Sequence, residues 1–470
     1  LEHLFHHVFL ASIKAVRDSG TIAAIATATG TGGIGVIRIS GDNVTKLAEK
    51  ILGTIPKPRY AVFQPFYGPQ KQVIDEGIAI LFQGPNSYTG EDVLELQCHG
   101  GHIVMDMLLS AVLTTGLARQ AEAGEFTERA FLNGKIDLSQ AEAIADLINA
   151  SSAQAASSAV NSMQGVFSRL VNDLNDRIIR LRTYVEATID FPDESIDFID
   201  DGQVMTGLLA LSQDLQQIMH TAKQGLILQE GLKIVIAGRP NAGKSSLLNL
   251  LCGQECAIVT DIEGTTRDVL RENITIDGMP LHIVDTAGLR THTSDVVEKI
   301  GIERAWNEIM DADRILFVYD VSREDPLEQL ALYESIKAKT KGQIPFSIIC
   351  NKVDIHPTYT LPDEFKDLAH IAISANNRES LATLHSHLKE CAGFENTSEG
   401  VFSARRRHIT ALESADKHLN KAIELVKEQN MFELSAEELR LAHNNLNEIL
   451  GRYTADDLLG NIFNTFCVGK

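Results

Sequence analysis

From Thr21 onward the chain alternates short apolar, β-branched runs with polar breaks. Residues 21–27 and 34–39 read as strands separated by Gly30-Thr31-Gly32-Gly33, and residues 42–52 read as a helix. Residues 73–82 and 92–97 read as further strands, and 102–115 as a helix, so an α/β or α+β domain is expected over about 21–135. From Leu138 the texture changes to Ala-, Ser- and Leu-rich stretches with helical spacing and almost no Gly or Pro. The stretch 138–187 predicts two or more long helices ending near Asp190-Phe191-Pro192, and helix resumes over about 202–226. At Leu232 the pattern reverts to buried strands alternating with helices until about 392, which predicts a parallel sheet. After Ser403 helices return and run to about 460. An α/β block interrupting a helical region predicts one domain inserted into another. Periodicity does not say whether the two helical parts pack together.

Composition narrows this picture. A chain of 470 residues with 44% hydrophobic and 22% charged residues fits two to four domains and excludes general disorder, collagen and coiled coil. Forty-two Lys and Arg against 63 Asp and Glu leave a net charge of −21, which disfavours a broad grip on a polyanion but permits a local one. The six cysteines, Cys98, Cys252, Cys256, Cys350, Cys391 and Cys467, form neither a disulfide framework nor a zinc pattern, so reduced thiols and a cytoplasmic setting are expected. No apolar run approaches the ~20 residues of a membrane span. Residues 1–20, with His3, His6 and His7, read as an extension or cloning remnant rather than as fold or metal site. The acids Asp190, Asp193, Glu194, Asp197, Asp200 and Asp201 read as a solvated loop.

The chemistry concentrates after Leu232. Gly238-Arg239-Pro240-Asn241-Ala242-Gly243-Lys244-Ser245 follows an apolar strand, 233–237, and opens a helix at Ser246, the setting a phosphate loop requires. Its backbone N–H groups curl around phosphates, Lys244 reaches the β- and γ-phosphates and the Ser245 hydroxyl suits Mg2+. Asp285-Thr286-Ala287-Gly288 ends the strand 281–284, putting a carboxylate near Mg2+ and the Gly288 amide near the γ-phosphate. Asn351-Lys352-Val353-Asp354 follows the buried strand 346–350, and Asp354 can accept from guanine N1–H and the exocyclic amine. Ser374-Ala375-Asn376, after the strand 371–373, would support the base through backbone amides. The segment Gly264-Thr265-Thr266-Arg267-Asp268 supplies a threonine for Mg2+ and the γ-phosphate, and Thr260, Asp261, Ile262 and Glu263 just before it are counted with the nucleotide site. Taken in order, each at a strand end, these pieces specify GTP rather than ATP. Leu289 stands where a Ras-like enzyme keeps its water-orienting Gln. The loop 289–300 offers Asp295, which suits a helix start, and Glu298 as carboxylates in its place.

These residues resemble a known family. The runs GRPNAGKSS, IVTDIEGTTRD (258–268), DTAGLR (285–290), YTGEDVLELQCHGG (88–101), GEFTERAFLNGKIDLSQAEAIADLI (124–148) and the ending Phe466-Cys467-Val468-Gly469-Lys470 are similar to those of the MnmE/TrmE family of tRNA uridine-modifying GTPases. The resemblance covers about 21–470 and implies a multidomain α/β and all-α architecture. An N-terminal folate-binding and dimerisation domain is expected over 21–135, a helical domain in two parts over 136–228 and 395–470, and an inserted P-loop (Ras-like) G domain with a mostly parallel sheet over 229–394. The implied activity is K+-stimulated GTP hydrolysis coupled to transfer of a carboxymethylaminomethyl or aminomethyl group to C5 of the wobble uridine, position 34, of certain tRNAs. A tetrahydrofolate derivative donates the one-carbon unit, and the implied partners are a second copy of the chain and the FAD-dependent flavoprotein MnmG.

By the same resemblance, Asn241, Thr260, Ile262 and Thr265 would enclose K+, Ser245 and Thr266 would hold Mg2+, and Glu298 would orient water. Catalysis would rest on Glu298, Lys244 and Gly288. Folate would meet Arg38, Glu95, Lys135 and Lys470, with Arg38 and Lys135 toward its glutamate tail and Glu95 toward the pterin. Cys467 would take part in the modification or sit reduced beside the folate. Trp306, the one tryptophan, reads as core or as a reporter of switch movement. Two rival readings stand beside this one: a ribosome-assembly or signalling GTPase switch without modification activity, and a folate-dependent methyl-group enzyme with an incidental G domain. The acidic charge agrees with a tRNA substrate if the flavoprotein supplies much of the basic surface and this chain contributes only a patch such as Arg405-Arg406-Arg407.

Overall fold

The computed structural model describes residues 20–28, 30–190, 201–253, 271–285, 306, 308–323, 325–395, 400–429, 431–452 and 456–469. The chain divides into two units, one made of Leu1–Ala145, Ser162–Leu215 and Thr410–Lys470, the other of Asp146–Asn161 and Gln216–Ile409.

The first unit carries a six-stranded sheet built from β1 (Ile22–Ile25), β2 (Gly32–Ser40), β3 (Val62–Tyr67), β4 (Val73–Phe82), β5 (Val93–Gly100) and β6 (Arg119–Gln120). Their order is β3-β4-β5-β2-β1-β6, and the pairings are antiparallel except for β1 with β6. Side chains alternate across the sheet. Ile37, Ile39, Leu94 and Leu96 face the helices Val44–Leu52 and His102–Thr114, forming the main core. Ile22, Ala24 and Phe126 form a smaller cluster with Ala121. The helix Val44–Leu52 buries Val44, Leu47, Ala48, Ile51 and Leu52, a spacing that keeps one stripe on the core, and it stops at Gly53 in the left-handed conformation.

Two elements of this unit were not anticipated from the sequence. β3 contains Pro65, which weakens a strand reading, and it is tolerated because β3 lies at the sheet edge. The helix Glu125–Leu132 buries Glu125, Thr127, Glu128 and Arg129 along with its apolar residues, so its charged positions do not mark a solvent face. The region expected as two or more helices forms Leu138–Ile148, Ala153–Met163 and Val166–Asp190. Val166–Asp190 packs against the helix Phe432–Leu450, where Asn175 Nδ2 donates to Asn447 Oδ1 at 3.2 Å. The two helical stretches therefore meet in one unit.

The second unit holds a sheet of β7 (Leu232–Ala237), β8 (Arg271–Ile276), β9 (Met279–Asp285), β10 (Arg314–Asp320), β11 (Phe346–Asn351) and β12 (Ala369–Ile373) in the order β12-β11-β10-β7-β9-β8. All neighbours are parallel except β8 with β9, which close through Asp277 and Gly278, both left-handed at φ 49 and 89. Ile234 and Ile236 of β7 pack with Leu247 and Leu384 of the helices Lys244–Cys252 and Ser380–Ala392. Val235 and Ala237 pack on the opposite side with Tyr333 and Ile336 of the helix Leu327–Lys339. Helices on both faces of a mostly parallel sheet leave the strand C-termini free to carry a site.

Candidate nucleotide site

The loop after β7 turns on Gly238 at φ 153 and reaches the helix Lys244–Cys252 through Gly243 at φ 101. Asn241 also takes a left-handed φ of 63. The carbonyls of this loop are engaged one after another. Lys244 Nζ donates to Gly238 O at 2.8 Å and to Arg239 O at 3.0 Å. Lys352 Nζ donates to Asn241 O at 2.9 Å, and Asn351 Nδ2 donates to Ala242 O at 2.9 Å. In a trans peptide the N–H points opposite the C=O, so holding the Ala242 carbonyl against Asn351 aims the Gly243 N–H away from it. A loop whose carbonyls are occupied and whose amides precede a helix N-terminus suits an anion such as a phosphate.

Asn351 is 2% exposed and ties three loops together. Its Nδ2 reaches the phosphate loop, while its Oδ1 accepts from Ala375 N at 2.9 Å in the Ser374-Ala375 loop. Gly243 has no room for a side chain, because a Cβ there would collide with Asn351 Nδ2. Ser374 is buried and its N–H donates to Ser380 Oγ at 3.0 Å, which sets the loop at the start of the helix Ser380–Ala392. Asn241, Ser245, Asp354 and Asn376 are exposed; Ser246 is half-buried in the first turn of its helix. Asp285 ends β9 in register with Ile236 of β7. The structure thus assembles Asn241 to Ser246, Asp285, Asn351, Lys352, Asp354, Ser374, Ala375 and Asn376 along the C-terminal edge of one sheet. The sequence candidates Thr260, Asp261, Ile262, Glu263, Gly264, Thr265, Thr266, Thr286, Ala287, Gly288, Asp295, Glu298 and Lys470 lie outside the described residues, as does the acidic stretch 191–200. Trp306 is half-buried against the core around Ile309 and Phe317, with Lys339 Nζ 3.8 Å from its ring centroid.

In the first unit, Arg38 of β2 and Glu95 of β5 are register partners. Arg38 Nε donates to Glu95 Oε1 at 2.9 Å, and the guanidinium carbon lies 5.3 Å from the Tyr88 ring centroid and 5.9 Å from that of Phe126. Burial pushes the Tyr88 hydroxyl up despite its 2.8 Å bond to Thr127 and the nearby Arg38. Arg38 and Glu95 thus form one hydrogen-bonded pair on the sheet. Lys135 Nζ donates to the Pro85 carbonyl at 2.9 Å. The C-terminal tail joins this unit: Val468 bridges Ala123 in antiparallel fashion, and Gly124 N donates to Cys467 O at 3.4 Å. Gly469 passes so close to β1 that a Cβ would collide with Ile25 O. Cys467 is exposed. A cavity of about 600 Å3 opens between the Gly-rich turn, His102, Met105 and Val468; its lining among the described residues does not include Arg38, Glu95 or Lys135. Tyr88, Phe126 and Thr127 were not singled out from the sequence, although each falls inside a run that carried the family resemblance.

Within the expected basic patch, two arginines have acidic partners, although Arg406 stays exposed. Arg405 Nη2 lies 2.7 Å from Asp146 Oδ1, and Arg406 Nε lies 2.8 Å from Glu230 Oε2, so acids already answer two of the arginines. Arg407 is half-buried.

A strand, phosphate loop and helix joined to an Asn-Lys-x-Asp loop on a mostly parallel sheet define a P-loop GTPase. The family description "MnmE helical domain" matches residues 138–467, and "GTP-binding protein TrmE N-terminus" matches residues 21–135. The chain belongs to the MnmE/TrmE family and is a GTPase that takes part in tRNA modification. Among solved structures, the G domain of the T. maritima FeoB iron transporter is 25% identical over 34% of this chain and 98% of that one, at a TM-score of 0.27.

Proposed function

We propose that this GTPase is stimulated by K+ and, with the FAD-dependent flavoprotein MnmG, installs a carboxymethylaminomethyl or aminomethyl group at C5 of the wobble uridine of certain tRNAs. A tetrahydrofolate derivative is the one-carbon donor. The observation that carries the reading is the joining of two sites in one chain. One is a phosphate loop whose carbonyls are held by Lys244, Asn351 and Lys352. The other is a polar sheet face at Arg38 and Glu95, on the unit where the Cys467–Gly469 tail is tied. A switch GTPase has use for the first and none for the second.

In this reading Lys244 and the loop amides bind the nucleotide phosphates, Asp354 selects guanine and Ser374 to Asn376 back the base. Ser245 and Thr266 would hold Mg2+, and Asn241 with Thr260, Ile262 and Thr265 would hold K+. The exposed Asn241 amide, set on a left-handed backbone, can offer an oxygen to a cation. A monovalent cation there neutralises charge developing on the phosphates, the role an arginine finger has elsewhere. Glu298 orients water and the Gly288 amide faces the γ-phosphate. Arg38 and Glu95, acting as one hydrogen-bonding pair, meet the folate together with Lys135 and Lys470, and Cys467 lies on the same tail. We read 21–135 as the folate-binding and dimerisation domain, 136–228 with 395–470 as the helical domain, and 229–394 as the G domain of a cytoplasmic homodimer.

Two measurements test this. GTP turnover by the full chain should rise sharply when Na+ is replaced by K+, and equal rates in both salts would refute the cation site. Equilibrium dialysis with 5-formyltetrahydrofolate should show binding that weakens in Arg38→Ala. Absence of binding favours the switch GTPase.

A further inference from the structure

The residue that shapes the phosphate loop from behind is not among those assigned above. Asp320 ends β10 and is 2% exposed. Its backbone is clasped by the buried Gln329 side chain: Asp320 N donates to Gln329 Oε1 at 2.8 Å, and Gln329 Nε2 donates to Asp320 O at 3.1 Å. Its carboxylate is then fully used. Ser322 donates to Oδ1 from its hydroxyl at 2.6 Å and its amide at 3.0 Å, and Lys352 Nζ donates to Oδ2 at 2.6 Å. The same ammonium reaches Asn241 O at 2.9 Å. A lysine side chain with four rotatable carbons has no reason to keep that geometry unless something anchors its head, and the buried carboxylate is the anchor.

An outer arm joins the same elements. Arg239 Nη2 lies 2.8 Å from Glu328 Oε2, and Arg323 lies 4.0 Å from Glu328 and 3.7 Å from Asp320. Glu328 is 59% exposed, so water and salt screen this arm, whereas the Asp320 carboxylate is screened by neither.

We propose that Asp320 is a positioning residue for nucleotide binding: by anchoring Lys352 on the Asn241 carbonyl it holds the phosphate loop in its anion-binding shape. The inference rests on the reading of Gly238–Ser245 as the nucleotide loop. Loss of the anchor frees the ammonium and leaves Asn241 on its left-handed backbone without its partner. GDP and GTP are held by the same loop, so the effect falls on binding of both more than on chemistry.

The test is release of a fluorescent GDP analogue from the full chain, with GTP turnover measured in parallel. Asp320→Asn should raise the release rate about tenfold or more and raise KM for GTP by a similar factor, with kcat held within about threefold. Lys352→Gln should raise the release rate at least as much, and the double variant should release no faster than Lys352→Gln alone, because both changes remove one contact. Release within twofold of the parent, effects of the two variants that multiply, or a Glu328→Gln variant that matches Asp320→Asn would each overturn the proposal. If Asp320→Asn does not fold, Ser322→Ala loosens the same carboxylate from the outside, and an unchanged release rate there is equally fatal. Lys244→Ala separates this from the site reading: if it binds nucleotide normally, the loop itself is misassigned. If it fails to bind while Asp320→Asn is unaffected, the loop stands and only the role of Asp320 falls.

Discussion

Single residues in this protein are constrained by what lies behind the loops rather than by the loops themselves. The spacing of Gly238 and Gly243 around Lys244 is legible as a phosphate loop. The reason Gly243 is glycine is that it sits at φ 101 with Asn351 Nδ2 where a Cβ would be. Gly243→Ala should therefore weaken GDP binding at least tenfold by calorimetry, since either the loop or Asn351 has to move, and Asn351 also holds Ala375. The buried network around Arg129 was not legible, because nothing local in Glu125-Phe126-Thr127-Glu128-Arg129 says that its charges are buried. Arg129 contacts Glu125 at 2.8 Å and Glu91 at 3.0 Å, and Arg119 contacts Glu125 at 2.7 Å. Burial pushes the Glu125 carboxyl up, but bonds from Arg119, the Glu122 amide and Arg129 outweigh it and hold it below its usual value. A depressed carboxyl adds stability above its unfolded value of about 4.3 and loses it as pH falls through the lower folded one. Arg129→Gln should cost about 3 kcal/mol in urea melts at pH 7, and the gap to the parent should narrow below about pH 4 as Glu125 becomes neutral.

At the scale of elements, periodicity found the strands and helices whose two faces differ or whose sides are both buried. The strand expected at 73–82 is β4, and the helix expected at 102–115 is His102–Thr114. β3 was hidden by Pro65, which an edge accepts, and Glu125–Leu132 by its buried charges. The pairing of Val166–Asp190 with Phe432–Leu450 lay beyond any local pattern, since the partners are far apart in the chain. Its buried polar line runs from Asn175 through Asn447 to His443, with Asn447 Nδ2 donating to His443 Nε2 at 2.8 Å. Asn447→Ala strips a partner from both neighbours and should cost about 2 kcal/mol by thermal melt. Asn447→Ser, which keeps a hydroxyl, should recover part of that loss.

For the whole molecule, charge and thiol chemistry decide which partners suit it. A net charge of −21 leaves this chain poorly equipped to hold tRNA alone. Filter binding of tRNA to the isolated chain should be weak at physiological salt and should strengthen when a basic partner is added; tight, salt-sensitive binding by this chain alone would contradict that. The cysteines within the described residues, Cys98, Cys252, Cys350, Cys391 and Cys467, carry free thiols. Burial, with the Asp75 charge, pushes the Cys98 thiol up to about 11, and burial also raises Cys350, so both stay protonated and inert. Among the described cysteines Cys252 and Cys391 are half-buried and Cys467, on the tail, is exposed.

The sequence by itself determined the local chemistry: the phosphate loop, the Asn-Lys-x-Asp loop, the run of strands and helices, and the family those motifs belong to. Such features are short-range, because a turn, a strand and a loop carry their residue types within a dozen positions. Only the tertiary structure decided that the two helical stretches meet and that the C-terminal tail lies against β1. It also decided that Arg38 and Glu95 form one pair, that Arg405 and Arg406 are spoken for, and that Asp320 stands behind Lys352. Each of those outcomes depends on which residues distant in the chain are brought into contact, and for Asp320 and Asp146 the buried carboxylate is too costly to leave unpaired, so its partner must be found across the fold.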